Sequence, residues 1–432
     1  MHVLLVTIGS AGDVNPMIGL GVSLKERGHE VTLVTGPYFE GTISRAGLQF
    51  HPLGTIEDYE RSTANPDLWH PYRAFPLIVK SAIVPSLRPV YDFIAEHDPA
   101  ETVVVASTLC LGARLAQEKL GFATATLHLQ PSIFISADAP PRYPGGSIPS
   151  WFPRPMRWLA NRVLERLFLD PHLAPAINEL RKELGLPPVR RIFGNWMHSP
   201  QKVLGMFPEW YAPPQRDWPA NTELTGFVGY DPGADAPLPP ELEEYLDTGD
   251  PPIVFTAGSA MRHGEDFFQA SVEACQRIGR RALLVTRHPE QLPAELPAGI
   301  RHLDYAPFAT LLPRTALMVH HGGIGTMAQG LAAGIPHLIM PLAHDQPDNA
   351  ARIEQLGVGL SLARSAYRPR AVADRLNHLL NSPDVQAACQ RLRGQIDFVA
   401  ARRATCEAIE QLDPQQDARV RMSKTEVRPS HE

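Results

Sequence analysis

The sequence predicts an α/β protein built of two doubly wound domains, and three observations carry that expectation. The chain has 432 residues, more than a single core usually supports, so two domains of roughly 200 residues each are expected. Continuous apolar runs rich in β-branched residues recur along it, as strands covered on both faces of a parallel sheet require. Between these runs lie glycine- or proline-marked turns and helical patterns, and the whole series starts afresh after a proline-rich interruption.

The first run, residues 2–8, is followed by a glycine loop, Gly9-Ser10-Ala11-Gly12-Asp13-Val14. Asn15 is placed to cap a helix, Pro16 to occupy its first position and Gly28 to follow its end, which predicts a helix over 17–27. Further strands are expected at 30–35, 102–106, 123–129, 202–207 and 222–227, with a helix at 111–120. Residues 55–75 and 131–149 read as irregular, rich in proline and aromatics, and such segments over a sheet edge usually shape a site. On a helix over 151–168, Met156, Leu159, Ala160, Val163 and Leu167 form one apolar stripe, with Trp158 opposite and Arg154, Arg157, Arg162 and Arg166 around the rest. That stripe predicts a packed surface helix; the sharper alternative is a lipid-facing lid making peripheral contact with a membrane.

Residues 231–240, containing Asp231-Pro232-Gly233, Pro237, Pro239 and Pro240, hold little that packs and form the expected linker. It would separate a first domain, 1–230, from a second, 241–412. Strands of the second are expected at 252–256, 282–286, 300–305, 316–320 and 337–341, with a helix at 265–278. Helical patterns at 371–380 and 385–412 finish it. Residues from 413 to 432 are polar and charged without apolar period and are expected to be disordered.

Composition narrows the function. A formal charge of −6 from 40 basic and 46 acidic residues gives no field for nucleic acid. Cys110, Cys275, Cys389 and Cys406 are far apart, which suggests neither a zinc site nor a disulfide framework and fits a reducing cytoplasm. No apolar run reaches the ~18 residues of a membrane span.

The stretch richest in chemistry is Met318-Val319-His320-His321-Gly322-Gly323-Ile324-Gly325-Thr326, followed by a small-residue helix. A strand, a glycine turn and a helix start bring unpaired backbone N–H groups and the positive end of a helix dipole together, which suits an anion such as a diphosphate. His321 adds a donor that no structural turn requires, whereas His320 reads as structural. Asp345 and Gln346, further on, offer groups for sugar hydroxyls, the alternative being a plain helix start.

With the loop Gly9 to Pro16, Phe255-Thr256-Ala257-Gly258-Ser259, Tyr305-Ala306-Pro307, His320 to Thr326 and Asp345-Gln346, the chain resembles nucleotide-sugar glycosyltransferases of the UDP-glycosyltransferase-like superfamily. Within it, Trp196-Met197-His198-Ser199-Pro200-Gln201 and Ala212-Pro213-Pro214-Gln215-Arg216-Asp217-Trp218-Pro219 look like the rhamnosyltransferase subunits of bacterial rhamnolipid synthesis. The resemblance implies the GT-B arrangement, two Rossmann-like domains facing each other across a cleft, with acceptor in the first and donor in the second. It implies Asp13 as catalytic base, with Ser10 and Gly12 in the acceptor-side loop. On the donor side it implies Ser259, His321, Gly323, Gly325 and Thr326 at the diphosphate, Tyr305 stacked on the base, and Asp345 and Gln346 on the sugar. Chemistry asks for the same parts, because an attacking alcohol needs a base and a departing diphosphate needs its charge met. As structural alternatives, Asp13 would be a cap residue and Tyr305 a core aromatic.

Two positions depart from the pattern. Gln329 stands where uridine-nucleotide users commonly carry a glutamate on the ribose, and Phe308 replaces a common glutamine. With no Asp-x-Asp element, no metal or other cofactor is expected. The reading is an inverting transfer of rhamnose from dTDP-L-rhamnose to the hydroxyl of a 3-(3-hydroxyalkanoyloxy)alkanoic acid, a hydroxylated lipid acceptor. Alternatives are a UDP-glucose-dependent sterol or lipid glucosyltransferase, a nucleotide-sugar epimerase, and a non-catalytic nucleotide-sugar-binding protein.

Overall fold

A computed structural model describes residues 1–233 and 237–414. It contains two parallel sheets with helices on both faces, as expected of doubly wound domains. The first has seven strands, ordered Gln49–Pro52, Glu30–Thr35, His2–Val6, Thr102–Ser107, Ala123–His128, Lys202–Gly205 and Thr222–Leu224. The second has six, ordered Ile300–Leu303, Ala282–Val285, Ile253–Thr256, Leu317–His320, His337–Ile339 and Gly359–Ser361. In each sheet the order turns back at the strand that opens the domain, so a crevice forms at the carboxyl ends of the central strands.

The central strands are covered on both faces, and Val3, Leu4, Leu5 and Val6 have no exposed surface. The outer strand Gln49–Pro52 and the last strand Gly359–Ser361 escaped the sequence reading because neither is a long apolar run.

Three expectations are corrected. The first helix runs Ala11–Glu26, six residues earlier than predicted, with Ser10 rather than Asn15 as its cap and Pro16 inside it. Ser10 and Asp13 form a capping box, which satisfies two orphan donors and overrides the local Asn-Pro signal. Residues 55–75 are not irregular throughout: they contain a helix, Ile56–Ala64, and a 3-10 turn, Pro66–Trp69. Trp69 reaches over to the second domain and is buried in its core.

The third correction concerns the domain boundary. The last helix among the described residues, Phe398–Glu410, does not stay with 241–412 but returns to the first domain. Ala401, Cys406, Ala408 and Ile409 pack in one cluster with Met17, Leu20 and Leu24. Glu410 accepts from Arg27 at 2.7 and 2.6 Å and pairs with His29 at 2.8 Å. The amphipathic pattern of that helix was legible, but not which face of the molecule it would cover. The disorder expected of the tail falls on residues that, from 415 onward, lie outside the described residues, as do 234–236 of the linker.

Candidate active site

A cavity of about 900 Å³ lies between the two sheets, lined by both domains. From the first come Ser10, Gly12 and Asp13; from the second come Ser259, His321, Gly323, Gly325, Thr326, Asp345 and Gln346. These ten residues, spread over more than 300 positions of sequence, are thus brought to one place.

Asp13 is held by the helix start it caps. Its Oδ2 accepts from the Ser10 backbone N–H at 2.8 Å and from Ser10 Oγ at 3.3 Å. The carboxylate folds over Gly9, whose φ of +137° and lack of a Cβ make room; a Cβ there would come within 2.2 Å of Oδ2. The cap reading and the catalytic reading are therefore compatible, since both bonds engage one oxygen and leave Oδ1 to the cavity. Desolvation pushes the carboxyl up to about 6, against the opposing bonds from Ser10. A carboxylate tuned to that range is a far better base near neutral pH than an ordinary aspartate.

Across the cleft the glycine turn is built as expected. His320 is buried, and its Nδ1 accepts from the Gly322 N–H at 3.1 Å while Nε2 meets His337 Nδ1 at 3.0 Å. It shapes the turn and leaves the cavity to His321. The His321 ring lies over Gly258 and Gly323, where an added Cβ would approach it to 2.7 and 2.6 Å respectively. Its Nδ1 is buried without a partner among the described residues, and burial lowers its pKa to about 4, so the ring is neutral and one nitrogen carries a proton to donate. The helix that follows, Ile324–Ala333, starts at Gly323 with no side-chain cap, which leaves its first N–H groups open to an anion.

Asp345 is the second raised carboxyl, pushed to about 7 by desolvation and, more weakly, by the field of Asp13 and Asp348. It stands at the start of the helix Gln346–Gln355 but makes no cap bond; its Oδ2 accepts instead from Asn349 Nδ2 at 2.6 Å. Gln346 is partly committed to structure, because its Oε1 accepts from the N–H groups of Leu342 and Ala343 at 2.8 and 3.1 Å. Only its Nε2 remains for a ligand.

Two expected donor residues lie outside the cavity lining. Gln329 sits one helical turn beyond Thr326, half-buried. Tyr305 is 45% exposed, and its hydroxyl donates to Asp231 and to the Pro232 carbonyl of the linker. It is therefore no core aromatic: its hydroxyl is tied down, Arg287 lies 5.7 Å from its ring centroid, and the ring stands at the rim.

The sequence reading passed over several residues that the structure draws in. His344 adopts φ +59°, a strained conformation for a non-glycine residue, and lines the cavity against Trp69 with ring centroids 5.6 Å apart. Such strain concentrates at functional sites. Leu68, Phe75, Ile78, Ile133, Leu164 and Phe168 form an apolar arm of the cavity inside the first domain. Except for Ile78 these side chains belong to the segments 55–75, 131–149 and 151–168 that the sequence marked as shaping a site or facing lipid, though no local motif singled out the individual residues.

Comparison with known proteins agrees with this geometry. Residues 3–134 match the glycosyltransferase family 28 N-terminal domain, and residues 282–412 match the erythromycin biosynthesis protein CIII-like C-terminal domain. The chain is 30% identical over 433 residues to O-mycaminosyltylonolide 6-deoxyallosyltransferase of Streptomyces fradiae, covering 95% of this chain and 97% of that one. In structure it is similar to the glycosyltransferase of kitacinnamycin, with TM-score 0.70 and 20% identity over 96% of this chain and 99% of that one. It is also similar to the spinosyn rhamnosyltransferase complexed with thymidine diphosphate, with TM-score 0.63 and 18% identity over 98% of this chain and all of the other (100%). The chain belongs to the family 28 and erythromycin CIII-like superfamily of GT-B glycosyltransferases, and is a nucleotide-sugar glycosyltransferase.

Proposed function

We propose that the protein transfers rhamnose from dTDP-L-rhamnose, with inversion, to the hydroxyl of a 3-(3-hydroxyalkanoyloxy)alkanoic acid. The observation that carries this reading is that the cavity lined by Asp13 is also lined by an apolar arm of first-domain side chains, among them Phe75, Ile78, Ile133 and Phe168. An acyl chain gains about 0.8 kcal/mol for each CH₂ buried in such a space. A hydroxylated lipid laid along the arm presents its alcohol to Asp13.

In the proposed step the acceptor oxygen attacks the anomeric carbon, Asp13 takes its proton, and the bond from that carbon to the diphosphate oxygen breaks. The diphosphate charge is met by the His321 N–H, the first N–H groups of the Ile324–Ala333 helix and the Ser259 hydroxyl, while Asp345 and Gln346 Nε2 hold sugar hydroxyls. These groups serve the leaving group without a metal ion, so transfer is expected to persist in EDTA. Gln329 stands one helical turn beyond the lining residue Thr326, and a ribose reaching it would find an amide, which suits a 2′-deoxyribose better than a carboxylate does, because a buried charge facing one hydroxyl fewer would be left partly unpaired. A relative that binds thymidine diphosphate supports the same base.

The test pairs donors with acceptors. Transfer should be seen with dTDP-rhamnose and a hydroxyalkanoyloxyalkanoic acid, rising in efficiency with acyl length. Tighter binding of UDP than dTDP, with turnover of UDP-glucose onto sterols, would replace this reading by a glucosyltransferase one. Interconversion of the donor with no acceptor present would indicate an epimerase.

A further inference from the structure

The helix Arg154–Leu164 and the π-turn Glu165–Leu169 after it do not behave as a packed surface element. Met156, Leu159, Val163 and Leu167 are each between 44% and 60% exposed, and Trp151 just before them is 77% exposed. Soluble surfaces rarely gather so many large apolar side chains on one face without a partner.

What borders the face is as telling. On one flank Leu164 and Phe168 line the large cavity, and Phe168 is also 61% exposed, so the cavity reaches the surface beside this face. On the other, Arg162 and Arg166 line a second surface pocket, completed by Arg190 and Arg191 from the segment that packs alongside. The two carboxylates there are already engaged: Glu165 accepts from the Gly194 N–H at 2.6 Å and faces Arg191 at 3.4 Å, and Asp170 accepts from the N–H groups of Arg191 and Ile192 at 2.8 and 3.0 Å. Four guanidinium groups thus face two occupied carboxylates. Arg162 lies 5.0 Å from the Trp158 ring centroid and keeps a buried Nη1 without a protein partner.

We infer that this face docks on an anionic lipid bilayer: the stripe Met156, Leu159, Val163, Leu167 enters the acyl boundary, while Arg162, Arg166, Arg190 and Arg191 hold lipid phosphates. An apolar stripe edged by arginines is the arrangement by which interfacial helices bind such membranes. Charge complementarity selects a bilayer over a second copy of the chain, because two copies meeting face to face would oppose their arginine clusters. Docked in this way, the cavity mouth at Leu164 and Phe168 opens toward the acyl chains, so that a lipid acceptor can enter without crossing water. Only this last consequence rests on the lipid-acceptor reading; the docking itself is tested with neither donor nor acceptor present.

The experiment is co-sedimentation of the full chain with vesicles of phosphatidylcholine, with and without phosphatidylglycerol. Phosphatidylglycerol should strengthen binding, and Arg166→Gln or Arg190→Gln should each weaken it about fivefold on the anionic vesicles alone. Leu159→Glu with Val163→Glu should reduce binding at least about tenfold on anionic vesicles, with an unchanged melting temperature and dTDP affinity because both positions are exposed and outside the cavity. Binding indifferent to phosphatidylglycerol, or equal in parent and double variant, overturns the inference. So does a dimer in sedimentation equilibrium that Leu159→Glu converts to monomer.

Discussion

The hydroxyl of Tyr211, carried by the first domain, donates to Oδ1 of Asn349 in the second at 2.8 Å. That bond fixes which way the Asn349 amide points, so its Nδ2 faces Asp345 at 2.6 Å and the Gly322 carbonyl at 2.9 Å. One residue of the first domain therefore orients Asn349 and, through it, Asp345 of the second domain, the carboxylate proposed to hold sugar hydroxyls. Arg352 reinforces the contact by donating to the Tyr211 carbonyl at 3.0 Å and to Asp348 at 2.8 Å.

Tyr211→Phe removes that bond and leaves Asn349 Oδ1 buried and unsatisfied, at a cost of about 1–3 kcal/mol. Transfer should fall by up to about tenfold through kcat, because Asp345 is no longer held, while calorimetric affinity for dTDP stays within about twofold. Equal loss of dTDP affinity would show that Tyr211 supports the fold of the donor domain rather than the sugar contact.

Asp13, raised to about 6 by desolvation, gives the pH dependence its sign. In the proposed role Asp13 must be ionised to act, so kcat/KM should climb with pH through an acid limb near 6 and level off above it. For stability the sign is opposite: a carboxyl raised from its ordinary value favours the folded state below about 4, and that contribution is lost as pH rises through about 6. Asp13→Asn should then lower transfer by roughly 10²- to 10⁴-fold while raising the melting temperature at neutral pH. A variant within threefold of parent activity would remove Asp13 from the base role.

His321→Ala deletes the ring packed over Gly258 and Gly323. Loss of a polar donor to a buried anion corresponds to roughly 1.5–3 kcal/mol, or about 10- to 150-fold in Kd for both dTDP and donor. Isothermal titration with dTDP decides it, and unchanged affinity would make His321 a packing residue. Gly258→Ala should imitate the loss, since its φ is +97° and its Cβ would strike the same ring.

Glu410 is held down to about 2, chiefly by its hydrogen bonds from Arg27. A depressed carboxylate contributes stability above its unfolded value near 4.5 and loses it as pH falls toward 2. Glu410→Gln should lower the melting temperature by about 1–3 °C at pH 7, a modest figure because the pair is partly exposed. The difference should shrink steadily below pH 4.5, and a difference independent of pH would point to packing as its source.

The parallel strands were legible because a strand buried on both faces must be apolar at every position, as Val3 to Val6 and Leu317 to Val319 are. The glycine turn was legible because Gly322 and Gly258 meet backbone conformations that favour glycine, with φ of +96° and +97°. The capping box at Ser10 and Asp13 was written in the chain but was outweighed by the stronger local signal of Asn15-Pro16. The hold on Asp345 could not be read at all, since its partners are joined by a bond between residues 138 positions apart. The exposed stripe at Met156 to Leu167 shows a different limit. Periodicity reveals that a face is apolar, but only the fold shows whether anything covers it.

The return of the last helix to the first domain constrains how the cleft can open. Among the described residues the chain passes between the domains near Gly229 and again near Phe398, and the two passages lie side by side: a Cβ on Gly229 would meet the Phe398 ring at 2.7 Å, and Arg402 donates to the Gly229 carbonyl. Separating Asp13 from His321 would therefore disturb this paired crossing together with the Trp69 and Tyr211 contacts that also join the two domains.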